Sequence, residues 1–331
     1  MNEKMFTNKV ILITGGTGSF GTECVKFILK NFKIKKLVVY SRDENKQYLM
    51  EKEIKHPKLR FFLGDVRDLE RLNMAMREVD YVIHSAALKH VPIAEYNPFE
   101  CIKTNVYGAQ NIITASLQNK VKKVLALSTD KATNPINLYG ASKLAAEKLF
   151  LAANALVGKR DLTFSVVRYG NVLSSRGSVI PYFKELIKKK VSHLPITDKN
   201  MTRFFIRLED SVKFVLQCFE KMKIGEVFIP KLYSFKITDL AKFLSPETKH
   251  KFVGIRPGEK LDEFLCSIEE NHNILEFKSH YVIFKDLADK KKFKKIFKNN
   301  GKEVSRDFYY SSKNNSQFLN LQKIKQKFSK L

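Results

Sequence analysis

An α/β fold built on a doubly wound parallel sheet, with a smaller α/β C-terminal lobe, is predicted by three features of the sequence. Short apolar runs alternate with amphipathic helical stretches over the first half, a glycine-rich turn follows the first run, and beyond Asn171 the pattern loosens into glycine- and proline-punctuated chain. The strand-type runs are Val10–Ile13, Lys36–Tyr40, Arg60–Leu63, Tyr81–His84, Val124–Leu127 and Phe164–Arg168, separated by helical segments such as Glu23–Lys30 and Glu70–Arg77. Strands alternating with helices form right-handed βαβ units, and in such sheets ligands sit beyond the carboxyl ends of the strands. The expected division is a nucleotide-binding domain over 1–172, rejoined by the chain at about 203–232, with an interleaved substrate lobe over 173–331. The rejoining part reads as a helix followed by a strand at Glu226–Ile229.

Composition sets the boundaries of function. The 331 residues, 44% of them hydrophobic, suffice for two joined lobes. Cys24, Cys101, Cys218 and Cys266 are scattered with no CxxC pair or histidine cluster, which points to reduced thiols and no metal site. The polar N-terminus runs straight into a short apolar strand, too short for a signal core or a membrane span, so a soluble, cytoplasmic protein with no membrane partner is expected. Lysine and arginine number 60 against 34 acidic residues, a formal charge of +26. That charge is spread along the whole chain without an arginine-rich arm, zinc finger or aromatic RNA-binding motif. It reads as solvated basic surface that also attracts polyanionic small molecules, and no nucleic-acid partner is expected.

The first strand leads into Gly15-Gly16-Thr17-Gly18-Ser19-Phe20-Gly21. Glycines at this spacing allow a tight turn and close backbone approach, and the helix behind them offers its N-terminus to a pyrophosphate, the pattern of a NAD(P)-binding Rossmann fold. The second strand ends in Ser41-Arg42-Asp43-Glu44, with Lys46 one turn on. A hydroxyl and a guanidinium at that position suit a 2′-phosphate and favour NADP, while Asp43 keeps NAD open; a plain surface pairing of Arg42 with Asp43 or Glu44 is the alternative. After the third strand, Asp65 and Val66 are placed to hold an adenine edge, and after the fourth, Ala86 and Ala87 let a cofactor lie against the backbone. The fifth strand ends in Ser128-Thr129-Asp130-Lys131, and Tyr139 and Lys143 follow four apart, on one face of a helix. A nearby ammonium lowers a phenol's pKa and makes a usable base. Tyr48/Lys52, Tyr281/Lys285 and Tyr309/Lys313 share the spacing, but only Tyr139/Lys143 follows a strand end rich in hydroxyls.

Together these motifs resemble the extended short-chain dehydrogenase/reductase superfamily, and more closely its configuration-inverting UDP-N-acetylglucosamine 4,6-dehydratases of the pseudaminic acid pathway. The resemblance extends through Ala87–Pro98, Ser128–Lys143, Arg168–Pro181, Met201–Phe204, Gly254–Leu261 and Tyr310–Ser312. It implies NADP as recycled cofactor, UDP-N-acetylglucosamine as substrate, and a homo-oligomer, dimer or hexamer, with a place in flagellin or surface glycan synthesis. It implies that Tyr139 takes the C4 hydroxyl proton, Thr129 bonds the C4 oxygen, Lys143 supports Tyr139 and the nicotinamide ribose, Lys131 removes the C5 proton, and Asp130 protonates the departing C6 hydroxyl. Retaining dehydratases carry Asp-Glu where this chain has Asp130-Lys131, and simple 4-epimerases have neither group. A lysine serves as such a base only with a pKa well below 10.4, which burial beside another cation achieves; a surface lysine partnered with Asp130 is the plainer alternative. Arg203 and Arg256 are implied diphosphate contacts and Asn171 a phosphate or sugar contact, with a turn-stabilising Arg256–Glu259 pair as the alternative for Arg256 and Glu259. Lys89 lies near the expected cofactor and sugar pocket, while the adjacent His90 reads as a structural hydrogen-bonder. The rival readings are a nucleotide-sugar 4-epimerase, a dehydratase of an acetamido-fucose pathway, and a dinucleotide-sensing or nucleic-acid-binding regulator.

Overall fold

A computed structural model describes residues 3–173, 175, 177–296 and 301–328. Each apolar run becomes a buried strand: β1 (Val10–Thr14), β2 (Lys36–Ser41), β3 (Leu59–Leu63), β4 (Tyr81–His84), β5 (Lys123–Thr129) and β6 (Thr163–Tyr169). Helices α1 (Ser19–Asn31), α2 (Glu44–Glu53), α3 (Leu69–Ala75), α4 (Val91–Tyr96), α5 (Pro98–Ile102), α6 (Gly108–Gln118) and α7 (Leu138–Ala153) connect them. β1 is apolar except at Thr14 and is buried at all five positions, as a strand with helices on both faces must be. β1 pairs in parallel with β2 and β4, β2 with β3, β4 with β5, and β5 with β6.

The looser half continues with β7 (Asn171–Val172), α8 (Val179–Lys188), β8 (His193–Ile196), β9 (Thr202–Ile206), α9 (Leu208–Lys221), β10 (Val227–Pro230), β11 (Tyr233–Lys236), α10 (Ile237–Leu244) and β12 (Lys249–Phe252). Then come β13 (Phe264–Cys266), β14 (Ile274–Glu276), β15 (His280–Ile283), α11 (Leu287–Ile296), β16 (Lys302–Glu303), β17 (Tyr310–Ser311) and α12 (Leu321–Lys327). The main sheet has ten strands in the order β16-β14-β15-β10-β6-β5-β4-β1-β2-β3. The expected return through α9 and β10 is present, with β10 parallel to β6. Part of the segment expected in the smaller lobe lies elsewhere: β14, β15 and β16 extend the main sheet as antiparallel strands. Three strands of three, four and two residues leave little sequence signal, because they are too short for a periodicity to show.

The second lobe has its own core, in which Leu173, Ile180, Phe183, Leu194, Phe205, Phe235, Leu240 and Ile324 pack together. Phe205 and Phe235 stack with centroids 4.0 Å apart. The basic segment 286–302 has residues 297–300 outside the described part. Within the rest, Lys290 is buried, its Nζ 2.5 Å from both the His272 carbonyl and Glu303 Oε2, so this lysine closes the sheet edge and is not solvated surface. No helix among the described residues is long and apolar enough to cross a membrane, and no group of three or more acidic, His or Cys side chains among them forms a metal cage.

Arg168, near the end of β6 and wholly buried, ties β6 to α7, to the turn after β5 and to the chain around β13. Its guanidinium donates to Glu147 on α7 at 2.7 and 3.1 Å, to Thr133 Oγ1 at 2.9 Å, to the Leu265 carbonyl at 2.9 Å and to Glu270 at 3.1 Å. Replacing it with an apolar residue strands the buried Glu147 carboxylate. Arg168→Met is therefore expected to cost about 3–5 kcal/mol of stability, read from denaturant unfolding; a loss below about 1 kcal/mol would show that the network is held by its neighbours instead.

Candidate active site

The carboxyl ends of β1, β2, β4, β5 and β6 converge on one edge of the parallel array. At the first of them the chain turns back on itself so tightly that a Cβ on Gly21 would lie 2.5 Å from the Gly16 Cα, which only glycine permits. Helix α1 starts there with Gly18 as N-cap and no side chain capping it, so the amides of its first turn face outward. Thr17, Ser19 and Phe20 complete this turn, and the Gly15 backbone packs on Ala86. Ala87 and Leu88 follow, and Asn105 clamps Leu88, accepting from its amide at 2.8 Å and donating to its carbonyl at 2.9 Å. An uncapped helix start behind a glycine turn is a donor set for a diphosphate, so these residues fit a dinucleotide.

At the end of β2 the side chains are busier than expected. Ser41 is buried and its hydroxyl accepts from Gln47 at 3.0 Å. Arg42 pairs with neither Asp43 nor Glu44 but with Asp65, at 3.8 Å, while more than half exposed; Lys46 pairs with Asp43. Burial pushes the Asp65 carboxyl up, but hydrogen bonds and charge from Arg67, with Arg42 beyond, hold it below its usual range. Val66 is buried under Gly108.

The chemistry-bearing residues gather at the end of β5. Thr129 Oγ1 donates to Asp130 Oδ1 at 2.9 Å and accepts from the Lys131 amide at 3.3 Å, closing a short 3-10 turn over Asp130–Ala132. Helix α7 is N-capped by Asn137, whose side chain accepts from the Gly140 amide at 2.7 Å. A Cβ on Gly140 would lie 2.2 Å from the Lys131 carbonyl, so glycine is what lets α7 sit directly on the Lys131 turn. That docking brings Tyr139, buried on α7, to the same spot as Lys131.

Charge is arranged around Lys131. Its Nζ lies 3.1 Å from Asp130 Oδ1, 3.1 Å from Glu263 Oε1 and 3.5 Å from Asn171 Oδ1. This corrects the expectation of a depressed amine: burial works to lower it, but the two carboxylates outweigh burial and nearby Arg203 and hold Lys131 above its ordinary value. Asp130 moves the other way from a normal acid, raised by burial and by Glu263 against Lys131 and Thr129, and its Oδ2 is buried without a partner. Burial of this kind penalises the charged carboxylate. Burial raises Glu263 too, but Lys131, Arg203 and Lys260 hold it low.

The second correction concerns the tyrosine–lysine pair. Burial pushes Tyr139 up to about 12, and the cation that opposes this is Lys131. Lys143, itself pushed down to about 8 by burial, donates to the Leu127 carbonyl at 2.7 Å. The third concerns Arg203, expected on a diphosphate. It is buried, donates to the Thr202, Leu261 and Lys260 carbonyls at 2.7–3.0 Å and lies 3.7 Å from Glu259 and Glu263, so it braces the loop before β13. Arg256 is exposed and grips Glu259 at 2.8 and 3.0 Å, the turn-stabilising alternative. Lys89 is exposed, and His90 packs over Gly177. Of the 168–181 stretch, Ser174 and Arg176 lie outside the described residues.

Sequence reasoning missed Glu263, Lys260 and the bracing function of Asn137. Lys260 donates to the Thr133 carbonyl and Asn137 to the Gly258 carbonyl, each at 2.7 Å, fastening the 256–263 loop onto the Lys131 turn. No local pattern joins residues so far apart in the chain; only the docking of the two lobes does.

A glycine cradle, a Tyr/Lys helix and a reactive turn at the same sheet edge define an extended short-chain dehydrogenase/reductase. The family described as polysaccharide biosynthesis protein matches residues 11–285, and the chain belongs to it. It is 56% identical over 315 residues, 94% of each chain, to a UDP-N-acetylglucosamine 4,6-dehydratase (inverting) of Campylobacter jejuni. It is 43% identical over 97% of its length, and 95% of the relative's, to a UDP-glucose 4-epimerase of Rickettsia akari. Among solved structures, Pen from Bacillus thuringiensis superposes with a TM-score of 0.88 at 35% identity, over 97% of this chain and 98% of that one.

Proposed function

We propose that the chain is an inverting UDP-N-acetylglucosamine 4,6-dehydratase using a recycled NADP. The observation that carries the reading is the Asp130–Lys131 pair beside Tyr139: a buried acid whose pKa is raised and, 3.1 Å from it, a lysine nitrogen, both acting electrostatically on the phenol that a sugar C4 hydroxyl needs. The match to the Campylobacter dehydratase supports the substrate. When bound, the dinucleotide would supply the hydride exchange of the reaction, held by the Gly15–Gly21 turn and the residues after β2 to β4.

The protein's residues do the rest. Tyr139 takes the C4 hydroxyl proton while Thr129 holds the C4 oxygen; the ketone so formed makes the C5 proton acidic. Lys131 removes that proton, and Asp130 delivers its own to the departing C6 oxygen, releasing water. A proton returning to C5 on the opposite face inverts that centre. Lys143, through the Leu127 carbonyl, fixes α7 against β5 and faces the cofactor side of Tyr139. Asn171, 3.5 Å from Lys131, orients the amine. Gly15, Thr17, Gly18, Ser19, Phe20, Gly21, Asp65, Val66, Ala86, Ala87 and Lys89 line the dinucleotide side. Exposed Tyr96 and Phe99, on α4 and α5, support a homo-oligomer, and the product fits the first step toward pseudaminic acid and flagellin or surface glycans made in the cytoplasm.

The match to the Rickettsia epimerase favours a second reading, C4 epimerisation. An epimerase needs no acid–amine pair next to its tyrosine, and mass spectrometry decides between them: dehydration removes one water, whereas epimerisation leaves the mass unchanged. The choice of NADP is tested at Arg42, free to turn from Asp65 onto a 2′-phosphate. Arg42→Gln is expected to weaken NADP about tenfold, one charge-assisted contact, and NAD hardly at all, measured by titration calorimetry; equal weakening of both would contradict this assignment.

A further inference from the structure

Lys131 is held between two carboxylates, and only Asp130 has a task in the reaction as proposed. Glu263 comes from the loop before β13, and its placement is built with care. Its amide donates to Ser312 Oγ at 2.9 Å and its carbonyl accepts from the Ser312 amide at 2.8 Å. One carboxylate oxygen, Oε1, faces Lys131 Nζ at 3.1 Å and Arg203 Nε at 3.7 Å. The other, Oε2, is buried with no hydrogen-bond partner. A buried oxygen with an unused lone pair, one atom away from an ammonium, has room for a proton.

The dehydratase reading, on which this inference rests, needs Lys131 as a neutral amine, yet the resting site favours the ammonium. We infer that Glu263 is the group that relieves Lys131 of its proton: the ammonium passes a proton across the 3.1 Å contact to the Glu263 carboxylate, and the amine left behind removes the proton from C5. In the first step an N–H bond breaks, an O–H bond forms on Glu263, and the electron pair stays on nitrogen. In the second the C5–H bond breaks, its electron pair enters the enolate of the 4-ketone, and the N–H bond is restored. No bulk base is required.

The environment sets when this happens. The groups facing Glu263 are Lys131, Arg203 and Lys260, with Asp130 across the ammonium, and the cations favour its charged form while the site is open. Lys131 retains 22% side-chain exposure, the edge over which a sugar would lie. Covering that edge removes water from the ammonium–carboxylate pair and favours the neutral pair over the charged one. Glu263 touches Lys131 and not the sugar; it is a positioning and proton-holding residue.

The test is the pH profile of the NADP-loaded, full-length Glu263→Gln enzyme on UDP-N-acetylglucosamine, with C5 proton exchange followed by NMR. At pH 7 kcat is expected to fall about 100-fold with KM nearly unchanged. The C5 proton exchange of the variant should then recover about tenfold per pH unit relative to the wild type's as Lys131 gives its proton to water instead. Wild-type rates in this variant, or a loss equal at every pH, would overturn the inference. Should Glu263→Gln not fold, Glu263→Asp keeps the acceptor at longer reach: a reduced rate with the wild-type profile supports the inference, and a rising profile overturns it. A wild-type enzyme that eliminates no water overturns the dehydratase reading and this inference with it; one that eliminates water while Glu263→Gln matches it overturns this inference alone.

Discussion

Lys131→Ala should abolish elimination of water, by at least about 10³-fold in kcat, while dinucleotide affinity stays nearly unchanged. The cradle at Gly15–Gly21 makes no contact with the Lys131 side chain, whose partners are Asp130, Asn171 and Glu263. Oxidation at C4 does not use this amine, so reduced cofactor should still form in a single turnover and then persist. Removing a cation from between two buried carboxylates also costs stability, and Lys131→Arg separates the two effects. A guanidinium keeps the ion pairs but cannot be deprotonated at working pH. It should restore the melting temperature and leave elimination as slow as in the alanine variant. An arginine variant with near-native elimination would show that charge alone is needed and that the proton goes elsewhere.

Tyr139→Phe should stop the reaction one step earlier. The ring is buried, and phenylalanine fills the same space, so folding should be conserved. What is lost is the phenol oxygen assigned to take the C4 hydroxyl proton. No reduced cofactor should appear on mixing with substrate, and the overall rate should fall about 10³-fold or more. Because burial holds the phenol near 12, the wild-type rate of C4 oxidation should rise with pH through the neutral range: the deprotonated fraction grows about tenfold per pH unit below that value. Tyr139→Phe should lose that dependence along with its rate. Normal cofactor reduction in the variant would transfer the base role to another group.

The sequence made the parallel array and its reactive edge legible because their signals are local. Apolar runs mark β1 to β6, glycines mark the cradle, and the Thr129–Lys131 turn with Tyr139 and Lys143 falls within fifteen residues. The charge state of Lys131 was not legible. It depends on Asp130 and, beyond it, on Glu263, which the 256–263 loop brings over through Asn137 and Lys260, so the expected low pKa was inverted. Arg203 misled for a related reason: an arginine in a ligand-facing segment reads as an anion contact until its guanidinium is seen to donate to three backbone carbonyls and to lie 3.7 Å from Glu259 and Glu263. The strands β14, β15 and β16 were lost to the smaller lobe because runs of two to four residues are too short to carry a periodicity of their own.

The central claim is that an acid and an amine at positions 130 and 131 work on a 4-keto sugar. It is tested most directly by running the NADP-loaded enzyme on UDP-N-acetylglucosamine in deuterium oxide and reading the product by NMR. The account predicts a 6-deoxy-4-keto sugar with C5 inverted and deuterated, the C4 hydrogen transferred to C6, and no net consumption of cofactor. A product that keeps its C6 hydroxyl and its C5 hydrogen, changed only at C4, would contradict it.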